Sequence, residues 1–239
     1  MKKILLIGAG RSTSSLVQYL LFNAENENWF ITIADQSKEL ALESANNHDK
    51  AKAIAFDVNN TEERERLIDE HDLIISMLPA HLHMPVAKDC IKFKKHLATA
   101  SYVSEEMEAL DDEAKAAGIV MMNEIGVDPG IDHMSAMKVI DQIRGEGGEL
   151  KAFETFTGGL VAPESDNNPW NYKFTWNPRN VVLAGQGVCK FIQNHRYKYI
   201  PYHKLFRRTE IIEVDGYGKF EGYANRDSLK YREIGRAHV

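Results

Sequence analysis

The sequence predicts an α/β protein, a doubly wound parallel sheet followed by a partial α+β second domain. Two observations carry this. Through roughly the first 122 residues, short apolar runs ending in glycine or an acid alternate with helix-length segments, the pattern of strands buried on both faces and joined by helices. Beyond about Ile140, the alternation becomes period two and glycine turns appear, as in antiparallel strands.

The first run, KKILLIGAG, is unbroken and apolar, as a central parallel strand requires. RSTSSLVQYLLFN follows, with Leu16, Tyr19 and Leu20 at helical spacing. WFITIAD is a second strand, and Ser37 can cap the helix KELALESANN. AKAIAFDV is a third strand. NNTEERERLIDE opens with cap residues and first-turn acids, which suit the positive end of a helix. HDLIISMLP is a fourth strand, HMPVAKDCIKF a helix and HLATA a short fifth strand. SEEMEALDDEAKAAG reads as one helix from a Ser104 cap to a Gly118 stop, and IVMM as the sixth strand. Later, GGELKAFETFTGGL and RRTEIIEVDGYGKFEGYA suggest hairpin-like strands, and APESDNNPWNYKF a polar loop. The expected boundaries are a dinucleotide-binding domain over 1–129 and a partial substrate domain over 130–233.

Composition narrows the function. Lys and Arg number 29 against 35 Asp and Glu, a net charge of −6 without a dominant basic run, so no nucleic-acid partner is expected. Two cysteines support neither a disulfide framework nor a cysteine-based metal site, and no metal is expected. No apolar span has membrane length, so no membrane partner is expected and the localisation read from the sequence is cytoplasmic.

Gly8-Ala9-Gly10-Arg11-Ser12-Thr13 joins a strand to a helix. Gly8 permits a tight turn, Gly10 lets backbone approach a pyrophosphate, and the helix N-terminus offers free N–H groups to the negative charge. Thr13 stands where the usual fingerprint has a third glycine. Asp35 ends the second strand, where an acid binds the ribose hydroxyls, with Gln36 after it. Asp57 and Val58 end the third strand on the adenine side, and Ser76, Met77, Leu78 and Pro79 end the fourth, near the nicotinamide. All are expected cofactor contacts of a Rossmann-like groove. The cofactor expected is NAD or NADP; Asp35 would repel a 2′-phosphate and favours NAD, an effect Arg11 could partly offset.

These residues, with HDLIISMLP, TASYVSEEM, MNEIGVDPGIDHM and FTGGLVAPESDNNPWNYKFTWNPR, resemble the saccharopine dehydrogenase family, specifically its L-glutamate-forming type. The resemblance runs to about residue 233. It implies an oxidoreductase acting on a CH–NH bond, interconverting saccharopine with glutamate and aminoadipate semialdehyde in lysine metabolism. It implies substrate contacts at Ser101, Tyr102, Asp128, Pro129, Gly130 and Arg226, with Asp128 and Tyr102 as the catalytic candidates. The expected partner is a small amino-acid substrate, and a homodimer of the full-length protein is left open. Thr157 stands where relatives often carry cysteine, which removes a thiol role there. Read structurally, Asp128 is an N-cap and Pro129 a first-turn residue of the following helix.

Other readings remain open at this stage: a polyamine-branch reductase of the carboxynorspermidine or homospermidine type, a non-catalytic dinucleotide-binding protein, or a parallel-sheet protein with no nucleotide. The last six residues, IGRAHV (234–239), have no packing logic. They read as a translated sequencing adapter, a non-native tail beyond which the natural chain is expected to continue.

Overall fold

The computed structural model describes residues 1–174, 178–184, 187–225 and 227–229. The chain divides into two units, one over Met1–Ser135 and one from Ala136 onward.

The first unit is a six-stranded sheet: β1 (Lys2–Ile7), β2 (Trp29–Asp35), β3 (Ala51–Ala55), β4 (Leu73–Ser76), β5 (His96–Thr99) and β6 (Met121–Met122). Their order is β3-β2-β1-β4-β5-β6, and every pairing is parallel. Helices α1 (Ser14–Asn23), α2 (Lys38–Ala45), α3 (Thr61–Asp69), α4 (His83–Phe93), α5 (Glu105–Glu108) and α6 (Asp111–Ala117) connect them. The unbroken apolar run of β1 now has its reason. Leu5 and Ile7 join one core cluster with Val86, Ile74 and Leu97, while Ile4 and Leu6 join another with Val17, Ile31 and Ile33. A strand covered on both faces has no side left for polar residues.

Expected caps form. Ser37 Oγ accepts from Leu40 N–H at 3.3 Å, Asn60 Oδ1 from Glu63 N–H at 3.3 Å and Ser104 Oγ from Met107 N–H at 3.1 Å. The single helix expected over 104–118 is instead two, α5 and α6, interrupted at Ala109 and Leu110. Met107, Leu110 and Ala114, on either side of and within the break, are all buried. Gly118, with φ of 70°, ends α6 as expected. Inside this unit α3 and α4 are stapled by a buried ion pair: Arg64 Nε donates to Asp89 Oδ2 at 2.6 Å, and Arg64 Nη1 to Val58 O at 2.6 Å.

Helix α7 (Ile131–Gly145) carries the division between the units, and α8 (Pro178–Ala184) lies in the second. The second unit holds two separate antiparallel hairpins, β7 (Cys189–Gln193) with β8 (Arg196–Ile200), and β9 (Thr209–Val214) with β10 (Gly218–Tyr223). The β9–β10 hairpin is the one expected from RRTEIIEVDGYGKFEGYA. The β7–β8 hairpin is not anticipated, although its two-residue turn, Asn194-His195, has φ of 52° and 59°, the geometry of a primed hairpin turn that Asn favours. The strands expected in GGELKAFETFTGGL do not form; residues 148–162 carry no regular structure. Alternation makes a strand only where a neighbour supplies the hydrogen-bond ladder, and none does so among the described residues.

Candidate functional site

The carboxyl ends of β1, β2, β3 and β4 bring the expected cofactor residues to one edge of the sheet. Gly8 has φ of 105°, and a Cβ there would sit 3.0 Å from Met77 O. Both the backbone turn and the exit of β4 therefore demand glycine. Gly10 faces open space, with nothing within 4 Å of where a Cβ would be. This leaves room for a pyrophosphate at the start of the helical segment, where the first helical bond is only reached with Thr13 N–H to Gly10 O at 3.0 Å. Thr13 is buried, and its hydroxyl donates to Gly10 O at 2.6 Å. The third glycine is thus replaced by a side chain that fills the helix–strand gap and closes the loop on itself. Arg11 and Ser12 are exposed.

Asp35 is the informative departure. Its carboxylate accepts from Ala9 N–H at 2.7 Å and from Ser37 N–H at 2.8 Å. It holds the glycine loop against the end of β2, so much of its capacity is spent inside the protein. Two of its acceptor sites are thus taken by backbone donors, and the preference for NAD drawn from this residue gains no support here. Asp57 is exposed and accepts from the backbone N–H of Asn59 at 2.9 Å and from its side chain at 3.0 Å. These bonds, with one from Gln36, hold its carboxyl below the usual range, the Asn59 backbone contributing most. Gln36, Ala55, Phe56, Asp57 and Glu63 line an open concavity of about 340 Å³ at this end of the sheet, and Val58 is buried beneath.

The other half of the edge gathers the substrate candidates. Ser101 and Tyr102 follow β5, and Asp128, Pro129 and Gly130 follow β6. Tyr102 donates its hydroxyl proton to Asp128 Oδ1 at 2.6 Å, across 26 residues of sequence. Both are exposed at the rim. The two catalytic candidates therefore form one unit.

Asp128 is not a helix cap. The Asp128–Pro129 peptide is cis, and α7 begins only at Ile131, so Pro129 lies outside it. Asp132 does local work at that terminus instead, its Oδ1 accepting from Gly130 N–H at 2.8 Å and contacting His133 Nδ1 at 3.2 Å. The reason is the closed loop of residues 126–130. Gly126 N–H donates to Pro129 O at 2.9 Å, and Ile131 N–H donates to Gly126 O at 3.0 Å. A Cβ on Gly130, at φ of 149°, would collide with the Gly126 backbone. Gly130 is therefore required by the closeness of the Gly126 backbone, and the closed turn carries Asp128, which meets Tyr102. Arg226 lies outside the described residues, as do 234–239.

One residue at this site has no counterpart among the sequence-derived candidates. His83, first in α4, is buried, with Nδ1 at 2.8 Å from Ser76 Oγ and Nε2 at 2.7 Å from Ser101 Oγ. Thr99 Oγ1 is 3.3 Å from the same Nε2 and accepts from Ser101 N–H at 3.3 Å. Burial, with a smaller contribution from His81, keeps the imidazole pKa below its ordinary value. A histidine in an apolar helix carries no spacing signal; only the sheet register places Ser76 beside Thr99. Among the described residues, no cluster of His, Cys, Asp and Glu could hold a metal ion, and no helix is long and apolar enough to cross a membrane.

Comparison with known proteins decides the family. The model of the saccharopine dehydrogenase NADP binding domain matches residues 4–122, and that of the saccharopine dehydrogenase C-terminal domain matches residues 126–236. The chain belongs to the saccharopine dehydrogenase family. It is 42% identical over 234 residues to the Schizosaccharomyces pombe saccharopine dehydrogenase [NADP(+), L-glutamate-forming], covering 98% of this chain and 51% of that protein. An Arabidopsis thaliana alpha-aminoadipic semialdehyde synthase is 35% identical over 96% of this chain and 23% of its own length. The apo saccharopine dehydrogenase (L-Glu forming) structure from Saccharomyces cerevisiae superposes with a TM-score of 0.88 at 33% identity, covering 99% of this chain and 53% of that one. The chain spans about half the length of the saccharopine dehydrogenases it matches.

Proposed function

We propose that this chain carries the cofactor groove and part of the substrate site of an NADP(H)-dependent oxidoreductase that interconverts saccharopine with glutamate and aminoadipate semialdehyde. The Tyr102–Asp128 hydrogen bond carries the reading, because it joins the two catalytic candidates at the strand ends where ligands of open parallel sheets bind. The relatives' names support the substrate and the NADP(H) cofactor. Exposed Arg11 is the cation to meet a 2′-phosphate.

When bound, the nicotinamide supplies or accepts the hydride. The protein's share is positioning. Gly10 and the helix start receive the pyrophosphate. Asp128, an exposed carboxylate, orients the substrate amine, and Tyr102 steadies Asp128 and offers a hydroxyl at the same point. Ser101 meets a polar group of the amino-acid substrate.

Titrating the folded chain with NADPH and NADH side by side tests this. NADPH is expected to bind more tightly, and Arg11→Ala to weaken NADPH by about tenfold, the scale of one lost charge-assisted contact, while sparing NADH. A folded chain that binds neither nucleotide overturns the proposal.

A further inference from the structure

Ser76, His83 and Thr99 are buried together at the mouth of the groove, and that is an unusual place to bury three polar side chains. Apolar residues of similar shape would fill the same space at little cost in stability, so packing does not by itself explain the cluster. Its geometry does. The ring of His83 stands between a hydroxyl at the end of β4 and one just after β5, with contacts of 2.8 Å and 2.7 Å. Ser76 lies on the cofactor side of the groove and Ser101 beside Tyr102, on the substrate side.

We propose that His83 is a positioning residue that sets the hydroxyl orientation of Ser101 and couples it to Ser76. This rests on the reading of Ser101 as a substrate contact. A neutral imidazole has one N–H and one lone pair. With the proton on Nε2, the ring donates to Ser101, whose own proton is then free for a substrate acceptor, while Nδ1 accepts from Ser76. With the proton on Nδ1, both hydroxyls reverse. One proton's location thus decides whether Ser101 meets the substrate as donor or acceptor. Burial, which disfavours the charged ring, keeps the switch between these two neutral forms. The backbone adds rigidity, since Ser101 N–H is held by Thr99, which also faces Nε2.

Two substitutions separate positioning from filling. The carboxamide of His83→Gln reaches the Nε2 position and keeps a partner for Ser101; that of His83→Asn reaches only Nδ1 and keeps a partner for Ser76. Saccharopine binding to the NADPH-loaded chain is expected to fall about tenfold in His83→Asn and to be largely restored in His83→Gln. Equal losses in the two folded variants, or none, would overturn the proposal. A second measurement requires neither variant to fold nor any ligand to bind. The ring ¹⁵N shifts of His83 should report one dominant neutral tautomer and should move in Ser101→Ala. Shifts of a tautomer mixture, or shifts indifferent to Ser101→Ala, also overturn it. A wild-type chain whose ring is coupled to Ser101 but which binds neither NADPH nor saccharopine contradicts the proposed function while upholding the coupling.

Discussion

The two units of this chain solve the problem of burial in opposite ways. The first packs apolar side chains on both faces of one parallel sheet, in two clusters that include Leu5, Ile7 and Ile74 on one side and Ile4, Ile31 and Ile33 on the other. The second has a small cluster around Cys189, Ile200 and Leu205, with Phe191 and Ala224 against it. Its strands form two-stranded hairpins, which are marginal alone in water, and it leaves Phe206, Ile211 and Tyr217 more than 60% exposed. A βα repeat brings its own covering helix to each strand, so local sequence completes the first unit's core. A hairpin must find its cover elsewhere.

The comparison is open to attack, most strongly at the buried ion pair. Asp89→Ala leaves Arg64 buried without its carboxylate, and removing one partner of such a pair costs about 3–5 kcal/mol. Hydrogen exchange read peptide by peptide should show protection falling by that amount across α3, α4 and their strands. Unchanged protection there would mean that the first unit does not unfold as one core.

Acid gives a smaller effect with a definite sign. Burial holds the pKa of His71 below its ordinary value of 6.5, despite a hydrogen bond to Leu67 that raises it, and burial does the same for His83. The unfolded chain then binds protons that the folded one refuses. Stability from these groups is therefore full above about pH 6.5 and is lost as pH falls below it. The loss falls on the first unit, which holds both histidines, and hydrogen exchange read between pH 7 and pH 5 checks it. His71 Nε2 contacts Thr32 Oγ1 at 2.8 Å. Equal acid sensitivity in exchange from both units would contradict the assignment.

The smallest effect sharpens the contrast. Ile211→Ser, at a side chain 64% exposed, should change stability by no more than about 0.5 kcal/mol. Ile33→Ala, at a site with no exposure, should cost about 2–5 kcal/mol. Chemical denaturation of the two variants checks both, and a costly Ile211→Ser would show that β9 is covered in solution.

How much of this was legible beforehand depends on how local the cause is. Strand and helix succession, the caps at Ser37 and Ser104 and the glycine turn at Gly8 follow from residues within a few positions of one another. The sequence also placed Tyr102 and Asp128 in one site through their motifs, but not in contact. Asp-Pro before a helix is a frequent start signal and predicts Asp128 as a cap; loop closure between Gly126 and Gly130 moves the helix start to Ile131. Local chemistry proposed and a contact across the loop decided.

What the sequence by itself determined is therefore the parallel sheet, the edge at which the candidate cofactor residues gather and the family, because each rests on periodicity or on an ordered motif. The tertiary structure alone decided that Asp35 clasps Ala9 and Ser37, that Thr13 replaces a glycine by closing its own loop, and that His83 bridges Ser76 and Ser101. The Asp35–Ala9 and His83–Ser101 contacts depend on strand register bringing groups 26 and 18 residues apart to within 3 Å. No pattern along the chain encodes a hydrogen bond whose two ends meet only after the sheet has formed.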